Sequence, residues 1–320
     1  MRVVRRPPPP NLDPGPGADR LGRYSSDLAA RARASIDAVI AHPHPSPAEL
    51  HDLHRDLRRL RVLAKWWSRV APIRRRSSIA EFSRRLGRIA RLVGSVRDLD
   101  VELDLYSDLV RREPVPTARM HRFAIHLREG ARTGRELLRA TLRSERHGGL
   151  YERTEAELDG IGTERNWAAL GVAFASERRS LAKRATRARR RSLRTASPDD
   201  LHALRIRVRR LRYLTDVEDA LAGATASTFP RRYARLQRRL GTLHDRDVLA
   251  QHLARADPDG ARAPWRKRFG SETETLRRSL LEELPHLRPK RHLGAATRGR
   301  AARLPSASHR PGAGRRNPTR

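Results

Sequence analysis

Apolar residues recur at three- and four-residue spacing through the body of this chain, and nowhere is the strict alternation of a half-buried strand sustained. Ala, Leu, Arg and Glu dominate while β-branched and aromatic residues are scarce, which favours helix over sheet. The spacing predicts helices at about Ser25–Ala41, Pro47–Val70, Ser77–Val93, Arg97–Arg112 and Thr117–Ser144, and a shorter one after Gly149 that ends at Leu158. A second series starts near Trp167, with Leu170–Thr195, Ser197–Ala222, Thr228–Leu240, Asp245–Ala256 and Ala263–Leu284. Two starts are strongly marked. Ser197-Pro198-Asp199-Asp200 offers a capping hydroxyl, a proline for the first turn and acids that complement the helix dipole, and Ser46-Pro47 begins its counterpart. Between residues 22 and 286 the expected fold is all-α.

The two series repeat one another. Leu50, His51, Leu53, Leu57, Arg58, Arg59, Leu60 and Arg61 fall in register on Leu201, His202, Leu204, Val208, Arg209, Arg210, Leu211 and Arg212. Further on, Gly94-Ser95-Val96-Arg97-Asp98-Leu99-Asp100 falls on Gly241-Thr242-Leu243-His244-Asp245-Arg246-Asp247. Two copies, about 22–160 and 165–286, are therefore expected to form one compact body of two helical bundles about a pseudo-twofold axis. Residues 1–21, rich in Pro and Gly, and 287–320, with ten basic residues and no acid, are expected to be disordered.

On a helical wheel Leu50, Leu53, Leu57, Leu60, Ala64 and Trp67 form one stripe, predicted to be core. His51, His54, Arg58, Arg61 and Lys65 fall on a separate face, matched in the second copy by His202, Arg205, Arg209 and Arg212. The next helix of each copy carries a further set, Arg84, Arg88 and Arg91 in the first and Arg231, Arg235 and Arg238 in the second. Like charges at these spacings repel by a few tenths of a kcal/mol per pair, so keeping both copies basic points to an anion held against them.

Charge enlarges this picture. Seventy Lys and Arg against 36 Asp and Glu give a formal +34, and all but four of the cations are arginine, whose planar fork suits phosphate. There is no cysteine, hence no disulfide, thiolate nucleophile or thiolate metal site, and no apolar run long enough to span a membrane. A cytoplasmic chain without membrane attachment is expected. No phosphate-binding glycine loop, nucleophile elbow or paired acid and base is evident, so no catalytic residue, cofactor or resident metal is assigned. His51 and His54 with Asp98 or Asp100 are a weak metal set ringed by arginines. The two recurring Asp pairs, Asp98/Asp100 and Asp245/Asp247, are read as helix-start residues or as partners of nearby arginines.

The duplicated motif, His-x-Leu-Arg-x-x-x-Arg-Arg-Leu-Arg in its fullest form, followed each time by Gly-x-x-(Arg/His)-Asp-x-Asp-Val, resembles the CHAD domain, the conserved histidine α-helical domain. The resemblance implies a basic cavity and surface that bind inorganic polyphosphate and direct the protein to polyphosphate granules. It implies binding roles for His51, Arg58, Arg59 and Arg61, and for His202, Arg205, Arg209, Arg210 and Arg212. His54 departs from the pattern by standing where the motif has Arg. A titrating group there is expected to loosen the first copy's grip above neutral pH. The Glu-x-Glu-x-Lys signature of a triphosphate-tunnel domain, which accompanies some members, is absent: Glu272-Thr273-Glu274 lies in a predicted helix and reads as surface charge. Nucleic acid stays open as an alternative ligand, with the basic tail from Arg288 expected to hold any polyanion nonspecifically; a His-based metal or phosphoanhydride-processing site is a third reading. Scarce aromatics, only 4% of the chain, weigh against base stacking.

Overall fold

The computed structural model describes residues 16–112, 118–162, 164–221, 229–258 and 264–287. Among them the chain forms α-helices α1 (Pro16–Ala41), α2 (Pro47–Val70), α3 (Ile73–Arg112), α4 (Ala118–His147) and α5 (Leu150–Leu158). The second series is α6 (Glu164–Thr195), α7 (Pro198–Leu221), α8 (Arg231–Ala256) and α9 (Pro264–Glu283), with a 3-10 turn at Leu284–His286. The all-α expectation holds.

The caps are built as their sequences suggest. Ser46 Oγ accepts from the Glu49 amide at 3.2 Å while a Glu49 carboxylate oxygen accepts from the Ser46 amide at 2.7 Å, a reciprocal box that starts α2. Ser197 Oγ accepts from the Asp200 amide at 3.2 Å and starts α7. Helix α1 begins at Pro16, so residues 16–21, expected to be disordered, are helical instead, with Ala18 and Leu21 fully buried. Burial of that apolar turn supplies what its Pro and Gly content takes away. The remainder of the expected disordered N-terminus and the tail beyond Leu287 lie outside the described residues, as do residues 113–117, 163, 222–228 and 259–263.

Two pairs of predicted helices fuse. Ser77–Val93 and Arg97–Arg112 form one 40-residue helix, and Thr228–Leu240 and Asp245–Ala256 join in the 26-residue α8. The glycines that suggest breaks, Gly94 and Gly241, lie within helix. At Gly94 the missing side chain serves packing, because a Cβ there would stand 3.2 Å from Cε1 of the His54 ring. Two turns earlier on the same face, a Cβ on Gly87 would stand 2.9 Å from the Arg61 guanidinium. The two glycines let side chains of α2 lie against the backbone of α3.

Helix α2 sits at the centre, packed on α1, α3, α5, α6 and α7. The stripe from Leu50 to Trp67 is buried, each member at most 1% exposed, and the Trp67 indole donates to the Glu157 carbonyl at 2.8 Å. One apolar core runs through both halves; a second joins Tyr106 and Leu109 of α3 and Phe123 and Leu127 of α4 to Leu249 and Leu253 of α8 and Trp265 and Phe269 of α9. Beside it, His252 Nδ1 lies 2.6 Å from the buried Glu102 carboxylate and links α8 to α3.

Candidate anion-binding site

The cationic faces of α2 and α7 meet. Arg58 of the first copy and Arg209, its match in the second, are near enough that each like charge opposes the other. Burial, then Arg58 and Arg205, bring the Arg209 pKa down to about 10. Arg58 is held in place by Tyr213 of α7, whose hydroxyl accepts from its Nη1 at 3.1 Å and whose ring lies 5.6 Å from the guanidinium carbon. Arg61, its pKa lowered first by burial and next by Arg91 of α3 and Arg210 of α7, extends the cluster to one side. On the other side His202 and His244 bring their rings to 4.3 Å and their Nδ1 atoms to 3.2 Å. Burial and then Arg205 push His244 down to about 4, so both imidazoles are neutral near pH 7.

Two carboxylates enter this group. Asp245 lies 3.8 Å from Arg205, and its pKa is raised, by burial first, despite that neighbour; Asp98 adds a smaller raising effect. The aspartates are therefore not helix-start residues: Asp98 and Asp100 lie deep inside α3, Asp245 and Asp247 inside α8, where no free amide needs a cap. Their other expected role, holding arginines, describes three of the four. Asp100 pairs with Arg135 of α4, Asp247 with Arg277 of α9 at 2.7 Å, and Asp245 with Arg205.

The sequence-assigned residues divide accordingly. His51, Arg58, Arg61, Arg91, His202, Arg205, Arg209 and Arg210 belong to the convergent set, and Lys65 lies at its edge, where Glu177 offsets its neighbours Arg69, Arg210 and Arg61. Arg59 points to Asp216 at 4.0 Å, and Arg212 faces α8, with Gln237 at 3.5 Å, while also acting on Asp216. Arg84 and Arg88 reach Glu81 at 2.6 and 3.6 Å, and Arg235 reaches Glu283 at 3.2 Å. Arg231 and Arg238 are exposed on α8. The third-helix set thus reaches the cluster through Arg91, and the continuous wall suggested by spacing does not extend along α8.

His54 corrects the reading most. It is 4% exposed, lies against Gly94, and leaves its Nδ1 without a hydrogen-bond partner. Burial, then Arg58 and Arg97, push its pKa down to about 3. It carries no charge at neutral pH and cannot loosen a grip there. The wheel placed it on the basic face, but α2 is enclosed by five helices and so buries a wider arc than one stripe.

Sequence reasoning passed over Arg97, His244 and Tyr213. The repeat itself held the signal for two of them, since Arg97 and His244 occupy matching positions; Tyr213 had none. A cavity of about 540 Å³ lies elsewhere, between α1 and α5, with a largely apolar lining that includes Ile36, Leu57, Leu86 and Leu150. Among the described residues no three His, Asp or Glu side chains converge in the manner of a metal site, and no helix is long and apolar enough to cross a membrane.

These features define a class: an all-helical, internally repeated protein whose two motif helices bring like-charged arginines together. The CHAD domain family matches residues 27–254, and the chain belongs to that family. Among solved structures it is similar to the crystal structure of the CHAD domain from the plant Ricinus communis, at 19% identity and a TM-score of 0.49, over 88% of this chain and 90% of that one. No curated protein matches it.

Proposed function

We propose that this chain binds inorganic polyphosphate at the meeting of α2, α3, α7 and α8, without catalysis, and that it associates with polyphosphate granules through that binding. The observation that carries the reading is the approach of Arg58 and Arg209, matched arginines of the two motif helices, within a group that also holds Arg61, Arg91, Arg97, Arg205 and Arg210. Partly buried like charges oppose one another until an anion sits among them, and a chain of phosphates brings a charge on every unit. Guanidinium forks suit each phosphate, and several contacts along one ligand add.

The absence of an assigned catalytic role rests on the condition of the carboxylates. Phosphoanhydride hydrolysis commonly uses carboxylates to hold a divalent metal. Here Asp245 is engaged by Arg205, and Asp98 lies in the field of Arg209. Preference over nucleic acid is supported by the cluster's lining, where Tyr213 is already occupied by Arg58 and, among the described residues, no run of exposed aromatics offers a stacking platform.

The test is a double variant, Arg58→Gln with Arg209→Gln, in the full chain. Polyphosphate affinity at fixed salt is expected to fall by at least about 10-fold while circular dichroism keeps the helical signal. Undiminished affinity would place the site elsewhere. In competition at equal phosphate concentration, short single-stranded DNA should fail to displace polyphosphate; efficient displacement would favour nucleic acid.

A further inference from the structure

Helix α6 carries a second concentration of charge that the repeat does not account for. Between Glu177 and Asp199 there is no acidic residue. Within that stretch Arg179, Lys183, Arg187, Arg190 and Arg194 recur every three or four residues, so all five point one way, and all five are exposed. The buried side of the same helix, Arg178, Leu181, Ala182, Ala185 and Ser192, lies opposite. The stripe is straight, with one cation per turn, and runs roughly 22 Å from Arg179 to Arg194.

Three facts set it apart from an ordinary solvated face. Among the described residues none of the five has a carboxylate within ion-pair distance, whereas Arg84, Arg88, Arg132 and Arg235, also exposed, each have one. The helix dipole explains cations only in the last turn, which leaves Arg179, Lys183 and Arg187 without that justification. Helix α1, which precedes the motif helix of the first copy as α6 precedes that of the second, mixes Asp19, Asp27 and Asp37 with its arginines. The architecture does not require the stripe.

It is also connected to the central cluster. Arg184, on the flank of the stripe, acts on Arg210, and Arg210 acts on Arg61, so cations follow one another from α6 across α7 to α2. We infer that the α6 stripe is a second binding surface for the same polyanion, engaged only by polyphosphate chains long enough to leave the central cluster, pass Arg210 and Arg184, and lie along α6. This rests on the proposed function above. A duplex is the poorer fit, because DNA with a persistence length of about 50 nm cannot turn from the outer side of α6 into a partly buried cluster, while a single phosphate chain can.

The experiment replaces Arg179, Lys183, Arg187, Arg190 and Arg194 together by Gln in the full chain. Removing like-charge repulsion should leave helicity and melting unchanged or improved. Affinity for polyphosphate of about one hundred units is expected to fall about 10-fold, and the slope of log affinity against log salt to lessen by about 3, while affinity for chains of about ten units stays within about 2-fold. Unchanged long-chain affinity overturns the inference. So does an equal loss for both lengths, or a loss confined to duplex DNA, which would make the stripe a nucleic-acid surface. The Arg58→Gln/Arg209→Gln variant is measured alongside: if it keeps its short-chain affinity, the central site is wrong, whatever the α6 variant does.

Discussion

Helices α2 and α7 share a motif, yet the same register position does opposite work in each. In α2 that position is His54, buried, neutral and pressed on Gly94. In α7 it is Arg205, partly exposed and 3.8 Å from Asp245, and a Cβ on Gly241 would meet nothing within 4 Å. One copy has closed the space between motif helix and following helix, and the other has kept it open around a charge. The lesson concerns duplication: a repeated pattern records a shared backbone, while each copy spends the shared positions on packing or on charge independently.

The largest expected effect comes from forcing the first copy to imitate the second. His54→Arg puts a guanidinium into a site already crowded by Arg58, Arg97 and Arg209 and should cost about 3 kcal/mol or more in denaturant unfolding. Near-wild-type stability with tighter polyphosphate binding would show that the first copy can open as the second does. Next in size is the glycine pair. Gly241→Ala should stabilise by about 0.5–1 kcal/mol through helix propensity, whereas Gly94→Ala should destabilise by about 1 kcal/mol as its Cβ presses on His54. Shifts of equal sign and size in thermal melts would erase the proposed difference in packing.

The third effect is on pH. His54 and His244, with pKa values of about 3 and about 4, lie below the ordinary 6.5, so below pH 6.5 the unfolded chain binds protons that the folded chain refuses. Their contribution to stability is complete above that value and is lost as pH falls through their folded values, about 4 for His244 and about 3 for His54. Replacing His54 by Leu should flatten the stability profile in that window by up to about one proton; an unaltered profile would mean the ring is solvated. Smallest is the effect on binding. Phosphate near His51 and His202 favours their protonated forms, reversing the action of burial and the arginines, so polyphosphate affinity should rise about 2-fold from pH 8 to 6. An affinity that does not vary with pH would place both rings away from the ligand.

Much of this was readable beforehand. Periodicity gave the all-α fold, Ser46 and Ser197 marked true helix starts, and the Leu50 to Trp67 stripe is the core it promised to be. Gly94 misled because glycine has two uses, ending a helix and admitting a neighbour, and only the partner helix distinguishes them. His54 misled because a wheel gives direction but not the number of helices around it. The approach of Arg58 to Arg209 is a tertiary fact, beyond the reach of spacing within either helix. The α6 stripe was in plain view, but attention to repeated positions hides whatever one copy has alone.

The second apolar core has a consequence for how such a chain can be divided. Its walls come from α3 and α4 on one side and from α8 and α9 on the other, with Glu102 and His252 across the same boundary. A cut between the copies, near residue 163, would strip each fragment of half a wall and leave Tyr106, Phe123, Trp265 and Phe269 facing water. Neither copy is then a spare of the other. The halves should melt together in a single transition, and fragments made separately should be sticky alone and recover order on mixing.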